Sequence, residues 1–132
     1  MKLLITASRS LREEHYPVLK AAIEQYFPQA TMILHGGAEG GDQLAARYAR
    51  EQGLPQKVLR PEYRKHPVKA APLLRNTELV ALADATLAAY PGRPTAGTRD
   101  TSRKTLEAGK LLMELDVLTG HCRRREPAKE LW

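Results

Sequence analysis

The chain has 132 residues, 42% of them hydrophobic, with nine Gly, nine Pro and a net charge of +6 from 21 Lys and Arg against 15 Asp and Glu. That length allows one compact domain with a real core and no need of disulfides or metal staples, and the composition excludes a disordered or fibrous chain. The single cysteine, Cys122, excludes an intramolecular disulfide framework and fits a reducing compartment. The apolar opening at Met1–Ala7 is too short for a signal peptide, and no stretch nears the roughly 18 apolar residues of a membrane span, so a soluble, cytoplasmic protein without membrane contact is expected.

Lys2–Thr6 is a nearly continuous apolar run, the mark of a strand buried on both faces. Ser10 and Glu13 have capping-box spacing, and Leu19, Ala22, Ile23 and Tyr26 share one helical face, which predicts a helix from about Leu11 to Tyr26, stopped by Pro28. Ala30–Leu34 reads as a second strand. Asp42 then caps a helix carrying Leu44, Ala45, Tyr48 and Ala49, and Gly53 ends it.

Lys57–Leu59 reads as a brief third strand, and Arg60–Pro72, with three prolines, as an irregular connection. Helical spacing resumes over Leu73–Ala83. Ala85–Tyr90 reads as a fourth strand, and a helix starting at Thr98 or Asp100 takes in Leu106, Leu111 and Leu112. Leu115–Leu118 is a weak fifth strand. Strands alternating with helices predict a single α/β domain with a doubly wound, mainly parallel sheet flanked by helices over residues 1–118. Residues 119–132 read as a basic, flexible tail.

Charge is unevenly placed. Between Lys57 and Arg75 six cations face only Glu62, and the tail adds Arg123, Arg124, Arg125 and Lys129 against Glu126 and Glu130. Such a bias favours phosphate-bearing partners.

Two glycine-bearing loops each follow a strand and precede a helix, the position where ligands bind in open α/β sheets. In Gly36-Gly37-Ala38-Glu39-Gly40-Gly41 the missing side chains give an anion access to backbone N–H groups, and the next helix adds its positive end. Pro91-Gly92 through Gly97-Thr98 brings a second set of amides. Glycines spaced as in a dinucleotide fingerprint are absent, and no Lys-Ser/Thr completes a Walker A loop, which disfavours a conventional NAD dehydrogenase or P-loop ATPase. His15, His35, His66 and His121 are isolated, with no metal-ligand spacing, so no metal and no cofactor is expected. Asp100 reads either as a helix cap or as a carboxylate beside a sugar, and Arg75 either as a surface cation or as a fork for phosphate or carboxylate.

The segments Ala7-Ser8-Arg9, Leu34–Ala46 with its His-Gly-Gly-Ala-Glu-Gly-Gly-Asp block, Arg75-Asn76, Tyr90-Pro91-Gly92 and Gly97-Thr98 together resemble the YspA-like branch of the SLOG superfamily. That superfamily also holds the Lonely Guy phosphoribohydrolases and the DprA DNA-processing proteins. The resemblance implies a Rossmann-like sheet whose Gly-rich loops bind a nucleotide or nucleotide-derived small molecule. It assigns binding to Ser8, Arg9, Gly36, Gly37, Ala38, Gly40, Gly41, Asp42, Asn76, Pro91, Gly92, Gly97 and Thr98.

In Lonely Guy enzymes a Pro-Gly-Gly-x-Gly-Thr loop grips phosphate, and an acid just beyond it works with an upstream Arg to cleave the base from a nucleoside 5′-monophosphate. By resemblance the catalytic pair here is Arg75 and Asp100. The loop in this chain is two residues longer and lacks the second glycine, and its acid is Asp rather than Glu. Three readings result: a nucleotide-binding domain that hydrolyses an N-glycosidic bond, a non-catalytic nucleotide sensor, or a single-stranded nucleic-acid binder. The last is disfavoured because Tyr63 is the only aromatic in the basic stretch. A homodimer is expected from the resemblance.

Overall fold

A computed structural model describes residues 1–126. Six strands form one sheet: β1 (Lys2–Ala7), β2 (Met32–His35), β3 (Gln56–Val58), β4 (Ala85–Tyr90), β5 (Leu111–Asp116) and β6 (Cys122–Arg125). Their order across the sheet is β3-β2-β1-β4-β5-β6, parallel throughout except for β6, which runs antiparallel to β5. Four helices flank it: α1 (Tyr16–Tyr26), α2 (Gly41–Gln52), α3 (Ala71–Leu82) and α4 (Ala96–Glu107). The doubly wound α/β fold expected from the alternation of strands and helices is the fold observed.

The alternation of side chains along β1 divides the core. Leu3 and Ile5 point to the face covered by α1 and α2, where they meet Leu19, Ile23, Leu44 and Tyr48. Leu4 points the other way and packs with Leu34, Leu79 and Val80 beneath α3. Because the chain winds outward from β1 in one direction and from β4 in the other, the loops that leave these neighbouring strands part to opposite faces. A crevice opens at their carboxyl ends.

Several boundaries differ from expectation, each for a local reason. The first helix begins at Tyr16, with Pro17 in its first turn, after a single 3-10 turn at Glu13–His15. The Ser10–Glu13 spacing is not what caps it; instead the His15 imidazole accepts the Arg12 amide at 2.9 Å. Asp42 is not the cap of α2 either, since Gly40 holds that position. Gly53 ends α2 in the left-handed conformation, as expected.

Thr95, with extended backbone, precedes α4, so Thr98 and Asp100 lie inside that helix rather than at its start. The buried stripe of α4 is Thr98, Thr101 and Thr105, a polar face that hydrophobic periodicity does not register. Leu111 and Leu112 belong to β5 and not to the helix, which stops at Glu107 ahead of Gly109 with its positive φ of 72°. The segment read as a flexible tail contributes β6, whose Arg123 and Arg125 reach Glu114 at 3.8 and 3.0 Å. Residues 127–132 of that tail lie outside the described residues.

Candidate functional site

The crevice between the ends of β1 and β2 and the faces of α3 and α4 is a cavity of about 570 Å³. Of the residues expected at the site, Arg9, Gly36, Ala38, Asp42, Arg75, Asn76, Gly97 and Thr98 line it. The two glycine-bearing loops therefore share one cleft. Ser8, Gly37, Gly40, Gly41, Pro91, Gly92 and Asp100 do not line it. Lys69, Pro72, Leu79 and Thr95 line it without having been singled out. Lys69 was visible as one cation of the basic stretch, and Pro72 and Leu79 lie three or four residues from Arg75, on its face of α3.

The β2–α2 loop differs from the picture of bare amides awaiting an anion. The Gly37 amide donates to Nδ1 of His35 at 3.0 Å, and the Gly41 amide to the Ser8 carbonyl at 3.0 Å. The Ala38 amide donates to Asp42 Oδ2 at 3.0 Å. The anion held by this loop is thus the chain's own carboxylate.

His35 is buried, and with Nδ1 accepting, its Nε2 carries the proton and donates to Gln56 Oε1 at 2.9 Å. The glycines chiefly make room for protein. A side chain on Gly41 would strike Ala7, one on Gly40 would strike the Arg9 backbone, and one on Gly36 would meet the Arg75 guanidinium. At Gly37 the positive φ of 70° adds a backbone requirement.

Arg75 reaches over the same loop. Its Nη1 donates to the Gly36 carbonyl at 3.0 Å and to the Leu59 carbonyl at 3.3 Å, and its Nε donates to Asn76 Oδ1 at 2.9 Å. Arg60 clasps the next carbonyl, that of Gly37, at 2.8 Å. Burial lowers the Arg75 pKa, with Asp42 pulling the opposite way. Asp42 is only 6% exposed, and burial pushes its carboxyl up, opposed by the Ala38 amide and by the charge of Arg75.

Asp100 faces away from the cleft into the seam between α3 and α4. Its Oδ2 accepts from Asn76 Nδ2 at 3.1 Å and pairs with Lys104 at 2.9 Å, while Oδ1 pairs with Arg103 at 2.9 Å. Burial pushes its pKa up, but the hydrogen bonds from Lys104 and Asn76 outweigh that and leave it lowered. Asp100 holds Asn76, and Asn76 in turn holds Arg75.

The amino end of α4 forms the opposite wall. Its first turn-closing bond is from the Arg99 amide to the Thr95 carbonyl at 2.9 Å, so the amides of Ala96, Gly97 and Thr98 precede it without an intrahelical acceptor. No side chain caps this end: the Thr95 hydroxyl at the capping position lies 3.3 Å from the Thr98 hydroxyl, which itself donates to the Thr95 carbonyl at 2.9 Å. Arg9 and Lys69 complete a positive rim. Among the described residues no group of three His, Cys, Asp or Glu is placed to hold a metal, and no helix is long and apolar enough to cross a membrane.

Fold and cleft together define an α/β domain with a ligand-sized crevice at its topological switch point. The chain belongs to the YspA, cpYpsA-related SLOG family, whose model matches residues 1–66. The Gene 61 protein of Mycobacterium phage D29 is 31% identical over 115 residues, covering 82% of this chain and 90% of that protein.

Among solved structures, DNA processing protein A (DprA) from Streptococcus pneumoniae superposes with a TM-score of 0.68 at 17% identity over 90% of this chain. This chain spans 52%, about half, of the pneumococcal protein. DprA from Helicobacter pylori, described for its single-stranded DNA binding mode, gives a TM-score of 0.60 at 17% identity, with 90% and 70% of the two chains covered. At that identity the two structures speak to the fold. Membership of the family suggests binding of a nucleotide-related ligand.

Proposed function

We propose that the cleft binds a nucleotide-derived small molecule, with its phosphate at the amino end of α4. The observation that carries this reading is the uncapped first turn of α4 opening into the same cavity as Arg9 and Lys69. Free amides, a helix dipole and nearby cations are what a phosphate requires. The β2–α2 loop, whose Gly37, Ala38 and Gly41 amides are committed to protein acceptors, shapes the other end of the cleft.

Binding without turnover is the form the geometry favours, since Asp100 is engaged by Asn76, Arg103 and Lys104. Hydrolysis of the N-glycosidic bond by Arg75 and Asp100 remains part of the proposal to be measured, as does assembly as a homodimer.

Gly97 provides a clean test. A Cβ there meets nothing within 4 Å, and its φ lies in the region open to any residue. Gly97→Val should therefore fold normally while filling the phosphate seat. Calorimetry with nucleoside 5′-monophosphates should show binding to the native chain and at least a tenfold loss in the variant, with Tm unchanged. Equal affinity in the two proteins would remove the α4 end from the site. Free base released in the same mixtures would establish hydrolysis. A gel shift on single-stranded DNA with a steep salt dependence would favour the nucleic-acid reading instead.

A further inference from the structure

The cleft is lined by a guanidinium and a carboxylate that keep hydrogen-bonding capacity beyond their protein partners. Arg75 spends Nε and Nη1 on Asn76, Gly36 and Leu59, and no hydrogen bond engages its Nη2 among the described residues. Asp42 takes the Ala38 amide on Oδ2, the Gly36 amide also stabilises the carboxylate, and no described side chain donates to Oδ1. Both residues line the cavity, on either side of Gly36, whose missing side chain leaves them room. A carboxylate accepts only and a guanidinium donates only, so the pair presents one fixed pattern.

The flanks of this pair are apolar. Pro72 and Leu79 stand on the Arg75 face of α3 and line the same cavity. A hydrogen-bonding pair set between apolar walls suits a flat heterocycle with polar atoms on its edge. Position agrees. Asp42 and Arg75 line the cavity beside Gly36 after β2, and Ala96, Gly97 and Thr98 line it at the start of α4, after β4. A nucleoside monophosphate has its phosphate at one end, its base at the other and its sugar between.

We propose that Asp42 and Arg75 recognise the nucleobase of the ligand, Asp42 accepting a base N–H and Arg75 donating to the neighbouring ring nitrogen or carbonyl. This deepens the reading given under Proposed function and rests on it. Adenine, guanine and cytosine each offer adjacent acceptor and donor atoms on one edge, as does uracil. Phosphate and ribose alone leave buried Asp42 and half-buried Arg75 unmatched, and a site built for a hydrogen bond discriminates strongly against a ligand that lacks the partner.

The test is calorimetry of the full chain with ribose 5-phosphate, AMP, GMP, CMP and UMP. At least one monophosphate should bind ten or more times tighter than ribose 5-phosphate, and in Asp42→Asn that advantage should shrink to within twofold. A second measurement needs no variant: methylating the donor nitrogen of the best-binding base until it has no hydrogen left, twice for an exocyclic amine and once for a ring N–H, should cost the native protein at least tenfold. If ribose 5-phosphate binds as tightly as every monophosphate, or the methylated ligand binds like its parent, the base-recognition proposal is overturned while the phosphate site stands. If neither ribose 5-phosphate nor any monophosphate binds, both readings fall.

Discussion

Gly41 and Gly97 show how differently two glycines of one cleft are constrained. Gly97 faces open space, whereas a methyl on Gly41 would run into Ala7 at the end of β1. Gly41→Ala should therefore destabilise the fold by about 1–3 kcal/mol, the usual cost of overpacking, and chemical denaturation would measure it. A wild-type midpoint would mean that the β1–α2 contact yields.

Asp42 carries a pH signature. Its folded pKa lies above the ordinary 3.8, so between those values the folded chain binds the proton more tightly than the unfolded chain. Stability from this group is greatest below pH 3.8, falls as the pH rises through the raised folded pKa, and stays lower above it. Asparagine cannot ionise. The Tm of Asp42→Asn relative to the native protein should thus climb between pH 4 and pH 7, and a flat difference over that interval would contradict the assignment.

Among the elements, α4 is held to the sheet by hydroxyls. Thr105 Oγ1 lies 2.9 Å from Thr86 Oγ1 on β4 and 2.8 Å from the Thr101 carbonyl, with no exposure of Thr105. Thr105→Val keeps the shape but strands the Thr86 hydroxyl in the core, which should cost about 1–3 kcal/mol. Adding Thr86→Val removes the stranded group, so the double variant should recover part of the loss, measurable as a coupling energy in a denaturation cycle. A strictly additive cycle would show that the two hydroxyls act independently.

This polar seam also explains which elements could be read from the sequence. Strand β4, an apolar run bounded by Asp84 and Pro91, matches its observed limits of Ala85–Tyr90. Helix α4 departs from the limits its sequence predicts because its buried face is threonine and its leucine-rich continuation is β5. Strand β6 leaves no signal in the sequence because an exposed edge strand of Cys-Arg-Arg-Arg has no apolar period.

For the molecule as a whole, β6 closes one edge of the sheet. It supplies the Arg125 and Arg123 partners of Glu114, a carboxylate only 8% exposed, and its Cys122 is packed against the core. Burial pushes the Cys122 thiol up to about 11, so it stays protonated near neutral pH and serves as packing. A chain ending at Gly120 should melt at a lower temperature and scatter light increasingly with concentration, since β5 becomes an unpaired edge. Retained Tm and a clear solution would show β6 to be dispensable.

The order of strands and helices, the parallel sheet, the basic bias of the α3 approach and the family-bearing His35–Asp42 block all follow from the sequence alone. They are written in local periodicity, in turn residues and in charge, which act over a few neighbouring positions. The tertiary structure decided which glycines give way to neighbouring protein, and it set Asp42 rather than Asp100 in the cleft. Those outcomes depend on the faces that α2, α3 and α4 present once docked, and side-chain direction at a helix start shifts by 100° for each residue by which its first turn moves.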